Sequence, residues 1–223
     1  MNETIKTDKS RIITVVGIVL MLAFILTNFT PYSGLVGYSI LVGIAGFFIV
    51  EWVSKTPDSE SGLRFKTFFA DLKKCSPLLW LIIPVVSTIA DMYLGTLLFD
   101  TRYVEHVMGR TDAILNFENM LILAGQFIIG ALGEEIAFRG FFVGKGTKVF
   151  GFWPVAIVSS VFFALAHLAS GNAAIVAYDL AGILFDAIIY SLIMRKTNNC
   201  LVSTLSHFLV NMLGMILVFA FIL

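Results

Sequence analysis

Cysteine, histidine and charge are all scarce in this chain of 223 residues: two cysteines, three histidines, and 13% charged side chains that sum to zero net charge. Cys75 and Cys200 fall in or beside segments expected at the cytoplasmic face, where thiols stay reduced. Neither a disulfide framework nor a cysteine metal site is implied. The missing basic excess excludes a nucleic-acid partner, because phosphate binding needs a clustered basic surface. No inverted internal repeat of the kind found in many transporters is visible, nor any low-complexity tract or soluble domain. Ser159, Ser160, Ser203 and Ser206 lack a G-x-S-x-G elbow, and no histidine pair brackets a glutamate in the zincin manner.

What the chain has in excess is apolar surface. It is 58% hydrophobic with a mean hydropathy of +0.93, against roughly 45–50% apolar residues in a soluble domain. This is the composition of an integral membrane protein. The basic, polar start "MNETIKTDKSR" precedes an apolar run without an A-x-A-like cleavage site, so a retained first span is expected. A bilayer core about 30 Å thick needs about 20 apolar residues per helix. That template places spans near 12–29, 34–53, 77–99, 117–144, 153–170, 173–194 and 200–222.

The expected fold is therefore all-α, a polytopic membrane helix bundle of about seven transmembrane helices with a cytoplasmic N-terminus. The positive-inside rule supports it, because Lys6, Lys9, Arg11, Lys55, Arg64, Lys66, Lys73, Lys74, Lys145, Lys148, Arg195 and Lys196 then share one face. Arg102 and Arg110 alone fall outside. The polar stretch "GLRFKTFFADLKKC" alternates aromatics with bases and reads as a helix on the membrane surface or as a solvated loop. His106, in the outer loop, reads as solvated. Gly125, Gly130, Gly133 and Gly140 read as sites of close helix contact.

A charge at the bilayer centre costs roughly 2.5–3.5 kcal/mol on insertion scales, so ionisable groups within spans mark interior sites. "LGEEIAFRGFF" puts Glu134, Glu135 and Arg139 in the fourth span; the fifth carries His167 and the seventh His207 and Asn211. Glu135 and Arg139 stand four apart with the acid first, the favourable order for an ion pair on one helix face. Glu134 lies about 100° round the helix and lacks that partner. His207 and Asn211 share a face, as do Phe163 and His167. At about 1.5 Å per residue, Glu134, His167, His207 and Asn211 reach depths that would let them meet in one cavity.

A carboxylate without an ionic partner can serve as general base toward water, a histidine can relay the proton, and a His/Asn pair can donate to a developing oxyanion. That set suits peptide-bond hydrolysis by activated water. Two histidines and a glutamate also suffice for zinc, with Glu134, His167 and His207 as the ligands, but water activation without a metal or other cofactor is the preferred reading. Asp91 in the third span reads as structural, with proton handling or cavity lining as alternatives. The roles of Asp179 and Asp186, seven apart on one face of the sixth span, stay open.

"EEIAFR", "FALAH" and "HFLVN", in that order and each on its own expected span, resemble the CPBP family of intramembrane proteases: the CAAX prenyl endopeptidases and the bacteriocin-processing and self-immunity proteins of the Abi group. The resemblance covers about Leu115 to Gly214. It implies that Glu134 activates water with help from His167, that His207 and Asn211 form the oxyanion site, and that Glu135 and Arg139 support it. It divides the chain into N-terminal transmembrane helices with an amphipathic cytoplasmic linker (1–114) and a catalytic transmembrane core (115–223). It further implies a peptide or lipidated-protein substrate, and the compact chain suits a bacterial plasma membrane. A non-catalytic immunity or regulatory protein using the same cavity, and a proton-coupled transporter, are the competing functions.

Overall fold

The structure, a computed structural model, describes residues 3–111 and 119–222. Among them there is no strand, and the helices α1 (Glu3–Leu26), α2 (Tyr38–Ser54), α4 (Ile83–Phe99), α6 (Met120–Glu135), α8 (Phe152–Ala166), α9 (Ala173–Thr197) and α10 (Cys200–Ile222) build the bundle. Short helices α3 (Phe68–Lys74), α5 (Thr101–Thr111) and α7 (Gly146–Phe150) complete it. Six helical stretches among the described residues are long and apolar enough to cross a membrane. The chain is an all-α polytopic bundle.

Two expected spans differ from their observed form. The fifth, expected over 153–170, stops at Ala166 and is too short to qualify by length. Its fifteen residues extend about 22 Å at about 1.5 Å per residue, less than a bilayer core. Asn28 explains the stop: its Nδ2 donates to the Leu165 and Ala166 carbonyls at 3.0 and 3.4 Å, capping the helix from outside. The fourth, expected to end at 144, runs on as one helical stretch to Phe150. Inside it, Ile136–Lys145 winds as a π-helix, a form usually confined to single turns and frequent at functional sites. The boundary expected at 114/115 lies outside the described residues.

The tightest packing surrounds this π segment. Phe141 is fully buried with its ring wedged between α1 and α2. A Cβ at Gly17 or Gly46 would come within 2.5 or 2.6 Å of that ring, and one at Gly43 within 2.8 Å of the Ala137 backbone. Gly140 likewise meets Phe47, but Gly125 and Gly130 have nothing near the place of a Cβ, so the close contact expected of those two is not made.

At one end of the bundle the connections interlock. Lys145 pairs with Glu51, Arg64 Nη2 donates to the Thr197 carbonyl at 2.7 Å, and Asn198 Nδ2 donates to that of Glu60 at 3.3 Å. Asp71 on α3 is buried beneath them, accepting from Thr67, Lys74, Arg64 and Asn199. The aromatic and basic stretch is thus a short helix pinned by a buried carboxylate, with Phe65 and Phe69 left exposed. Burial pushes the Asp71 carboxyl up, but the Thr67, Lys74 and Asn199 hydrogen bonds and the Arg64 charge outweigh it and hold the group below its ordinary range. Cys75 and Cys200 are buried free thiols.

Candidate active site

Glu134 and Glu135 end α6 where the π segment begins, so the two carboxylates leave the helix in different directions. Glu135 and Arg139 are fully buried and form the ion pair that their spacing predicts, with Nη1 3.1 Å from Oε1. Arg139 Nη2 donates to the Ala187 carbonyl at 3.1 Å, and the guanidinium lies 4.3 Å from the centroid of the Phe163 ring. A charged pair survives in such a place only when it is further hydrogen-bonded.

That further bond comes from α10. His207 Nδ1 donates to Glu135 Oε1 at 3.2 Å. The ring stacks on Tyr190 of α9, with centroids 5.0 Å apart. Its other nitrogen, Nε2, then faces Glu134 Oε2 at 3.7 Å, an ionic neighbour for a carboxylate expected to have none. Glu135 fixes which nitrogen of His207 carries the inner proton.

His167 is the first residue after α8, not a mid-helix position. Its Nδ1 donates to the Phe163 carbonyl at 2.8 Å, and the two rings touch at 4.7 Å between centroids. In the neutral ring Nε2 is left as an acceptor. Glu134, His167, His207 and Asn211, from α6, the end of α8 and α10, all line one cavity of about 560 Å³. Gly130 lines it too, the place of its missing helix contact. Among the described residues no three His, Cys, Asp or Glu side chains are grouped so as to hold a metal ion. Glu134, His167 and His207 therefore do not fit as a zinc ligand set.

The outer half of the cavity corrects the reading of His106. The loop over 100–118 contains α5, which brings His106 Nε2 and Arg110 Nη1 to 3.4 and 3.3 Å from Asp179 Oδ2. His106 is thus buried against an acid, not solvated. Asp91 lines the cavity and accepts from the Tyr103 hydroxyl, while Ser87 donates to Asp186 at 2.7 Å. Sequence reasoning passed over Tyr103, Arg110 and Tyr190. The signals were there: His106 and Arg110, and Asp186 and Tyr190, each stand four apart on one helix face.

Residues 116–213 match the family model described as type II CAAX prenyl endopeptidase Rce1-like. That region contains all four residues gathered at the cavity and is similar to the CAAX prenyl endopeptidases that the model describes. No curated protein and no solved structure matches the chain.

Proposed function

We propose that this protein is an intramembrane endopeptidase that hydrolyses a peptide bond of a membrane-associated peptide or CAAX-type protein with water activated by Glu134. The observation that carries the reading is the meeting of Glu134, His167, His207 and Asn211 in one cavity of a membrane bundle. Glu134 takes a proton from water while His167, through Nε2, accepts the second hydrogen of that water as a hydrogen bond and orients it. The hydroxide adds to the scissile carbonyl, forming the C–O bond and moving the π electrons to oxygen. The resulting oxyanion is met by Asn211 Nδ2 and by His207, whose ring Glu135 holds from the other side. Collapse breaks the C–N bond, and Glu134 returns its proton to the leaving amine. Arg139 holds Glu135 in place through their ion pair.

In this reading residues 115–223 are the catalytic core and 1–114 wrap and support it. The interlocked end of the bundle faces the cytoplasm, as its basic residues require, and the host membrane is a bacterial plasma membrane. Turnover of a fluorogenic peptide by purified protein, with loss of about 10²–10⁴-fold in Glu134→Gln, is the test, paired with mass spectrometry of membrane-associated peptides from cells carrying either form. Equal turnover by both would sink the proposal. A Glu134→Gln protein that retains full biological activity would select the binding role of an immunity or regulatory protein.

A further inference from the structure

One face of α9 runs along the cavity wall as a ladder of polar groups: Tyr190 stacked on His207, then Asp186, then Gly182, then Asp179. From Tyr190 to Asp179 is about 16 Å at about 1.5 Å per residue. Asp91 of α4 faces this ladder at Gly182, where an added Cβ would lie 3.0 Å from its Oδ1. Asp179 has its counter-charge in Arg110, with His106 beside it. Asp91 and Asp186 have none within ion-pair distance among the described residues; hydroxyls alone reach them, those of Tyr103 and Tyr178 at Asp91 and that of Ser87 at Asp186.

Two carboxylates without an ion-pair partner on the wall of a membrane cavity make a place that a cationic group of a ligand can complete. A second observation points outward from the same wall. Tyr190 is 1% exposed, lines the cavity, and its hydroxyl has no hydrogen-bond partner among the described residues, an arrangement that is costly until a ligand completes it. A metal ion is a poor candidate for the missing charge, because the described acids are not grouped to chelate one. The cavity is otherwise walled by Phe127, Phe163, Ile183 and Met215, which suits a long methylene stem with the charge at its tip.

We propose that Asp91 and Asp186, with the Tyr190 hydroxyl, form a subsite for a lysine or arginine side chain of the peptide that the cavity receives. The proposal rests on the endopeptidase reading for the peptide's place, while its charge preference is measurable without cleavage. The probe is an N-acetylated decapeptide amide of leucine and alanine with lysine, norleucine or glutamate at one central position. Its binding to the full chain in dodecyl maltoside is followed by fluorescence anisotropy, in a Glu134→Gln background to prevent turnover.

The lysine peptide is expected to bind at least tenfold more tightly than the norleucine peptide, and the glutamate peptide more weakly than either. Adding Asp186→Asn or Asp91→Asn brings lysine and norleucine to within threefold. Equal binding of the lysine and norleucine peptides, or a lysine preference that survives both aspartate changes, overturns the subsite. Loss of the preference when phosphatidylethanolamine is added assigns the acids to a lipid amine and also overturns it. If the preference appears but wild type cleaves none of the peptides, the endopeptidase reading fails and the subsite stands.

Discussion

The two halves of this bundle solve opposite problems. Around the π segment, α1 and α2 press glycines against the Phe141 ring, leaving no space for even a methyl group. Between α4, α5, α9 and α10 the helices stand apart around an open cavity edged with carboxylates. Glu135 belongs to the first half and Glu134 to the second, although they are adjacent in sequence. One is buried and bound on several sides, the other is 21% exposed at the cavity. The difference teaches that a dry, over-determined core can hold a charged pair still enough to orient His207, while the neighbouring carboxylate stays open to the cavity.

The comparison breaks most visibly at these two residues. Glu134→Gln should remove activity by about 10²–10⁴-fold while leaving the thermal midpoint in detergent close to wild type, because its side chain holds no packing together. Arg139→Leu should do both kinds of damage. Stranding buried Glu135 without its partner costs about 3–5 kcal/mol, readable as a lower resistance to SDS unfolding, and His207 loses its fixed support. A stable, fully active Arg139→Leu protein would refute the division of labour.

Much of this was legible in the chain. The Glu135/Arg139 pair follows from a four-residue spacing, and the bundle follows from apolar runs of bilayer length. What periodicity could not reveal was decided by tertiary contacts. Asn28 sits 137 residues before the carbonyl it caps, so nothing near His167 announces that α8 ends there. His106 looked solvated because the segment around it is polar, yet α5 folds inward to lay that face on Asp179. The π winding of Ile136–Lys145 has no signature in the composition; it is seen only where Phe141 and Ala137 meet the glycines of α1 and α2.

Overpacking the dry half should have a smaller effect than stranding a charge. Gly46→Val would drive methyl groups into the Phe141 ring, at a cost of about 1–3 kcal/mol in SDS or thermal unfolding. The same change at Gly130, with open space at its Cβ position, should leave stability nearly unchanged and act, if at all, on peptide binding. Equal destabilisation at both positions would erase the distinction between the halves.

The smallest effect is expected at the interlocked end, where Asp71 tests whether pinning α3 matters to the bundle. Its carboxyl is held below its ordinary range in the folded protein, by hydrogen bonds and the Arg64 charge acting against burial. Such a group stabilises the fold above its unfolded pKa, about 3.9. As pH falls through that value the unfolded chain takes up the proton first, and the contribution is gone once the folded carboxyl is protonated too. Asp71→Asn should therefore lower the unfolding midpoint by a nearly constant amount between pH 7 and about pH 5, and the gap should begin to close below about pH 4 and vanish once the folded carboxyl is protonated. A gap that persists unchanged at low pH would mean that the Asn substitution acts through shape alone and that the charge on α3 holds nothing down.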